Sequence, residues 1–243
     1  MKTRNPIMRQ LRACLSAPVV ALATVLLAGC AATPSRVDPL EPMNRALFQV
    51  NEAADKVVLK PVVNVYTAVV PRVARTGVSN FFNNIDDAFS ALNGALQGKP
   101  EKAGNDLGRV LTNTMFGLGL FDVASEAGIE RGNEDFGQTL AVWGVGQGPY
   151  LFIPVLGPST ARDLSGSAVR FYLGPIGEIQ DVPVRNSMYG LGVVDGRYQA
   201  AGALQLAETA ALDKYAFIRN AYLQRRRYLI YDGKVPPEKE DKE

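Results

Sequence analysis

From Ile85 to Gln97, apolar side chains stand at Ile85, Ala88, Phe89, Leu92 and Leu96, the i, i+3, i+4, i+7, i+11 spacing that gathers one face of a helix. Asn84 in front of it is a capping residue type, and Gly98 behind it suits a helix stop. The next pattern opens at Pro100, whose missing N–H costs nothing in a first turn, and Glu101 complements the helix dipole. It places Leu107, Val110, Leu111, Met115 and Leu118 on one face and Asn105, Arg109 and Asn113 on the other. The spacing therefore predicts an amphipathic helix from Glu101 to Leu118 with chemically opposed faces. Further helices are expected from Met43 to Lys60, stopped by Pro61, and around Val193 to Ala211 and Asp213 to Tyr228. Val62 to Val70 is rich in β-branched residues and is compatible with strand or helix.

The most apolar stretch after the first thirty residues is Leu140 to Leu156, LAVWGVGQGPYLFIPVL. Gly144, Gly146, Gly148, Pro149 and Pro154 exclude a regular membrane-spanning helix, because a broken backbone would leave polar groups unpaired in hydrocarbon. A re-entrant or interfacial loop is the favoured reading, with Trp143, Tyr150 and Phe152 facing the membrane. A buried loop and hairpin of an ordinary core is the alternative. The cluster Phe116, Leu118, Leu120 and Phe121, threaded with Gly117 and Gly119, admits the same two readings.

The amino terminus carries Lys2, Arg4, Arg9 and Arg12, then an apolar stretch from Ala13 to Leu27, then Leu27-Ala28-Gly29-Cys30. That order is a secretion signal. The apolar stretch falls short of the roughly 20 residues needed to cross a bilayer, and Pro18 interrupts it. The last four residues resemble a bacterial lipobox, which makes 1–29 a signal peptide and Cys30 the lipidation site. Removing the four basic residues of the signal leaves 22 basic against 24 acidic side chains. The apparent basic character vanishes with the signal, and nucleic acid is excluded as an expected partner. Cys14 leaves too, so no pair remains for a disulfide. Several acyl chains at about 0.8 kcal/mol per buried CH₂ make anchoring effectively stable. By lipoprotein sorting rules, Ala31 favours the outer membrane, on its periplasmic side.

The roughly 200 residues that remain suffice for one domain. The expected organisation is a tether at 30–37, a domain at 38–232, and a charged, disordered tail at 233–243 that includes KVPPEKEDKE. The chain has no histidine, which removes the usual general base and the commonest metal ligand. There is no Gly-x-Ser-x-Gly elbow, and Ser165 and Ser167 have no evident base. Gly144-Val-Gly146-Gln-Gly148 lacks the spacing of a dinucleotide loop. The pairs Asp86-Asp87 and Glu134-Asp135 read as a solvated face or cap, and Arg225-Arg226-Arg227 as a basic helix end that suits anionic head groups or the helix dipole. No catalytic residue, cofactor or metal is expected.

A series of short motifs then runs in order from Asp38 to about Gly174: Asp38-Pro39-Leu40-Glu41 with Asn44-Arg45, Val78-Ser79-Asn80-Phe81, Leu96-Gln97-Gly98, and Arg109 with Asn113-Thr114. Gly119 to Ala124, Asp135 to Leu140, Trp143 to Gly146, Gly148-Pro149-Tyr150, and Pro154 with Gly157 to Asp163 follow. This series resembles the VacJ/MlaA lipoprotein family, departing from it at Ala141 and Gln147. The resemblance implies an all-α, ring-shaped arrangement of amphipathic helices lying in the outer membrane, with Gly/Pro-rich loops and an amphipathic channel. Through that channel, misplaced phospholipids would leave the outer leaflet for a periplasmic carrier that feeds an inner-membrane ATP-driven transporter, with a trimeric porin as a further partner. On this reading Asn105, Arg109 and Asn113 line the lipid path, with Arg109 attracting the phosphate. The rivals are a phospholipid hydrolase and a porin-associated scaffolding lipoprotein.

Overall fold

The computed structural model describes residues 38–237, so the expectations for the signal peptide, Cys30 and the tether lie outside the described residues. The chain is helical almost throughout. In order it forms α1 (Glu41–Ala54), a π-helical turn (Asp55–Leu59), α2 (Lys60–Val69), α3 (Arg72–Leu96), α4 (Pro100–Met115), α5 (Val123–Glu126) and α6 (Phe136–Val142). A hairpin of β1 (Tyr150–Ile153) and β2 (Gly157–Thr160) follows, then α7 (Ala161–Leu173), a 3₁₀ turn (Pro175–Glu178), α8 (Val182–Gln199), α9 (Ala201–Ala210) and α10 (Lys214–Ile230). Among the described residues, no helix is long and apolar enough to cross a membrane.

Several boundaries differ from the sequence reading for identifiable reasons. Pro61 does not end the first helix. The preceding turn widens to a π register, in which the Lys60 N–H reaches the Asp55 carbonyl, and the chain continues into α2. Widening relieves the clash between a proline ring and the carbonyl four residues back, and Arg197 fixes the turn by gripping Asp55 at 2.5 and 3.0 Å. Val62 to Val69 is therefore helix. Asn84 is no cap: it lies inside α3 and donates to the Thr114 hydroxyl at 3.0 Å. Helix α8 begins well before Val193, where Asp181 caps it by accepting from the Val184 N–H and Pro183 occupies the first turn.

Leu140 to Leu156 divides in two. Trp143 to Pro149 is an exposed loop, whereas Tyr150 begins an antiparallel strand whose register pairs it with Thr160 and Ile153 with Gly157. Alternation on β1 turns Tyr150 and Phe152 inward, where they meet Phe48 of α1 and Tyr215 of α10 in an aromatic core. Phe48 stands edge-on to Phe152 at 5.2 Å and to Tyr215 at 5.6 Å. Tyr150 and Phe152, at 1% and 3% exposure, thus cannot face the membrane, and that expectation is corrected. Asn44 locks the hairpin to α1, donating to the Tyr150 carbonyl at 3.0 Å and accepting from the Phe152 N–H at 2.9 Å. It also donates to Asp38, whose carboxylate receives the Tyr215 hydroxyl.

Helices α6 and α7 meet through small and polar residues. A Cβ added at Gly137 would stand 2.5 Å from the Asp163 carboxylate, and one at Gly166 would stand 2.6 Å from the Gly137 nitrogen, so α6 and α7 cross at backbone contact. Thr160 caps α7 by accepting from the Asp163 N–H. Ser165 and Ser167 bond back to the carbonyls of Arg162 and Asp163 within α7, as ordinary helical hydroxyls do.

Candidate functional site

Helices α3 and α4 form an antiparallel pair whose polarity is inverted. On α4, Leu107, Leu111 and Met115 are exposed, and the turn beyond it exposes Phe116 at 74% and Leu118 at 78%. Val110 is half-buried. The buried residues of the same helix are Asp106, Arg109 and Asn113, and those of α3 include Asp87, Ser90 and Asn93. The interior of this pair is thus polar, and its apolar stripe faces outward. An exposed apolar stripe above a charged interior reverses the soluble pattern and is what a hydrocarbon environment selects.

Arg109, 1% exposed, is the centre of that interior. Its Nε donates to Asp87 at 3.0 Å, Nη1 to the Ser125 hydroxyl at 3.0 Å and the Ile129 carbonyl at 2.7 Å, and Nη2 to Asp122 at 2.8 Å. Asn113 donates to Asp122 and accepts from the Ala124 N–H, so it ties down the first turn of α5. Burial alone would raise the Asp122 carboxyl, but the Ser125 hydroxyl, the Arg109 guanidinium, the Ser125 N–H and the Asn113 amide outweigh it and hold it at about 2. Arg131 adds a second guanidinium on Asp87, with Nε at 2.7 Å. At Asp87 burial wins, and its carboxyl is pushed up despite Arg131 and Arg109.

A second charged cluster ties α6, α7 and α10 together. Arg226 grips Asp135 and, at 2.8 Å, Asp163, whose other oxygen receives the Tyr222 hydroxyl. Burial opposes ionisation of Asp135, yet Arg226 lowers its carboxyl below the ordinary value. Of the basic run at the end of α10, Arg226 is therefore buried structure, while Arg227 donates to the Pro236 carbonyl. Glu134, also buried, meets Lys102 at 2.7 Å and Lys99 at 3.2 Å. Asp86 is exposed and Asp135 caps α6 by accepting from the Gln138 N–H, as expected of a solvated face and a cap, but their neighbours Asp87 and Glu134 are buried carboxylates. Among the described residues, no group of histidine, cysteine, aspartate and glutamate is arranged to hold a metal.

Of the residues singled out from sequence, Arg109 and Asn113 come together on Asp122, but Asn105 is exposed and stands apart. The reason is angular: a step of four residues drifts by about 40°, whereas Asp106, Arg109 and Asn113 follow the three-then-four spacing of a true stripe. Phe116, Leu118, Leu120, Phe121 and Trp143 are all exposed. Trp143 donates its indole N–H to the Leu96 carbonyl at 3.2 Å, and Asn80 donates to the Leu120 carbonyl at 2.9 Å. These polar groups beside the apolar edges are satisfied within the protein. The turn itself depends on Gly117, where a Cβ would stand 2.3 Å from the Phe121 carbonyl oxygen. Sequence reading missed Asp87, Asp106, Asp122 and Arg131 as a set, although Asp122 follows Gly119-Leu120-Phe121 in a quoted motif.

The family model for MlaA lipoproteins matches residues 36–229, nearly the whole of the described chain. The chain belongs to the MlaA lipoprotein family. It is 33% identical to the intermembrane phospholipid transport system lipoprotein MlaA of Haemophilus influenzae, over 90% of this chain and 92% of that one. It is 34% identical to the protein of the same description from Escherichia coli K12, over 90% of each chain. A solved structure reported as the structural basis for maintenance of bacterial outer membrane lipid asymmetry superposes with a TM-score of 0.70 at 32% identity, covering 80% of this chain and all of that one. The inverted α3–α4 pair and the aromatic core around the hairpin both lie within the matched MlaA residues.

Proposed function

We propose that this MlaA-family protein is the outer-membrane lipoprotein of an intermembrane phospholipid transport system. It withdraws misplaced phospholipid from the outer leaflet through an amphipathic passage bounded by its ring of helices and delivers it to a periplasmic carrier. The observation that carries this reading is the inversion of α4, with leucines outside and Asp106, Arg109 and Asn113 inside. Phospholipid movement needs an apolar exterior at membrane depth and a polar wall for the head group, since an unpaired charge in hydrocarbon costs several kcal/mol.

On this reading Cys30 carries the acyl anchor on the periplasmic side, Phe116, Leu118, Leu120, Phe121 and Trp143 meet acyl chains, and a trimeric porin seats the ring. Arg109 and Asn113 form the frame of the passage wall, because their donors are committed to Asp87, Asp122, Ser125 and Ile129. No hydrolytic step is required, in keeping with relatives described as transport lipoproteins. The test is the phospholipid content of the outer leaflet in cells with and without the gene. Accumulation on deletion, reversed by the intact gene with no release of fatty acid, is expected; unchanged lipid asymmetry would overturn the reading.

A further inference from the structure

On the polar side of α4, roughly 160° around the helix from Leu107 and Leu111, lies an open cleft of about 450 Å³. Arg109, Asp122, Ser125, Ile129, Glu130 and Arg131 line it. Its floor is electrostatically closed, because Arg109 is committed to Asp87, Asp122, Ser125 and the Ile129 carbonyl. Its rim is open at both signs. Arg131 spends Nε and Nη2 on Asp87, which leaves Nη1 without a partner among the described residues, and its side chain is 26% exposed. Glu130 is exposed and has neither an ion pair nor a hydrogen bond among the described residues.

We infer that this cleft seats the head group of a zwitterionic phospholipid, with the phosphate against Arg131 and the ammonium against Glu130. The inference rests on the transport reading above and adds to it a place and a class of lipid. A guanidinium edge makes charge-assisted hydrogen bonds to phosphate oxygens, and a free carboxylate accepts from an ammonium. The lining carries two guanidiniums, Arg109 and Arg131, and two carboxylates, Asp122 and Glu130, with buried Asp87 paired to both guanidiniums from behind, so a purely anionic head group finds no excess of positive charge. A dipolar head group satisfies both rim charges at once. The volume lies within the range of about 300–1,000 Å³ usual for small-molecule sites, large enough for a phosphoethanolamine group with bound water.

The experiment uses the full-length lipoprotein in an uncharged maltoside detergent, incubated with an equimolar mixture of dioleoyl phosphatidylethanolamine and dioleoyl phosphatidylglycerol. After re-isolation, bound lipid is quantified by phosphate assay and chromatography. The wild type should enrich phosphatidylethanolamine up to about fivefold, the scale of one exposed ion pair. Glu130→Gln should bring the ratio towards unity, and Glu130→Lys should favour phosphatidylglycerol. Because the Glu130 side chain holds nothing in place, both variants keep the wild-type unfolding midpoint. Bound lipid with no preference, a preference for phosphatidylglycerol, or a preference that both variants leave unchanged overturns this inference alone. Failure of the wild type to retain any lipid overturns it together with the transport reading.

Discussion

Arg109 sits among two carboxylates, a hydroxyl and a carbonyl, with almost no surface of its own. Replacing it with glutamate would set a third carboxylate beside Asp87 and Asp122 and leave both without their shared cation. Breaking a buried pair from one side costs about 3–5 kcal/mol, so Arg109→Glu should fail to accumulate, whereas Arg109→Lys should fold with part of that loss. Cellular abundance of both variants, with chemical unfolding of the purified wild type and Arg109→Lys in detergent, measures the difference. Wild-type stability in Arg109→Glu with lipid transport lost would instead mean that this guanidinium serves the head group directly. The residue types of the interior were legible in the sequence, since Arg109 and Asn113 stand opposite the leucines on any helical wheel. Their burial was not legible. Hydrophobic periodicity fixes the angle between two faces but not which face meets the interior, and Asp87, Asp122 and Arg131 join the site from other segments.

The elements were readable where a single segment determines them. Pro100 opening α4 and Gly98 ending the preceding turn at φ 71° follow local backbone rules that tertiary packing does not alter. Pro61 was misread because the π turn before it and the Arg197–Asp55 pair that fixes that turn join residues far apart in sequence. Tyr150 and Phe152 were misread because a short apolar run suits a membrane loop and a buried strand equally well; only the partners Phe48 and Tyr215 decide. The outward face of α4 supplies a prediction at this scale. Leu111 is exposed and lies outside the aromatic core, so Leu111→Asp should shift the unfolding free energy in detergent by no more than about 0.5 kcal/mol. In a bilayer the same aspartate would cost about 2.5–3.5 kcal/mol near the hydrocarbon centre. The variant should therefore fold normally yet wash from membranes more readily under alkaline carbonate, and equal retention with the wild type would place α4 outside the hydrocarbon.

At the scale of the molecule, buried side chains are mostly polar, while leucine, valine and phenylalanine crowd the surface: Val57 in the π turn, Val65 and Val69 on α2, Val73 at the start of α3, Leu107, Leu111, Met115, Phe116 and Leu118 around α4, and Phe171 to Leu173 at the end of α7. Folding buries a small aromatic core and leaves much of the remaining apolar surface outside it, where surrounding lipid would complete the burial. This separates the attachment of the domain from that of the acylated tether proposed above. Even on the order of 400 Å² of apolar surface entering acyl chains is worth about 10 kcal/mol at about 25 cal/mol per Å², well beyond the marginal binding of one acyl chain. A protease site inserted in the tether at 31–37 and cut after the protein has reached the outer membrane should accordingly leave the domain in the membrane pellet. High salt should not release it, because the contact is apolar, and detergent should. Appearance of the cut domain in the soluble fraction would show that the acyl chains alone hold it, and that the exposed valines and leucines are covered by something other than lipid.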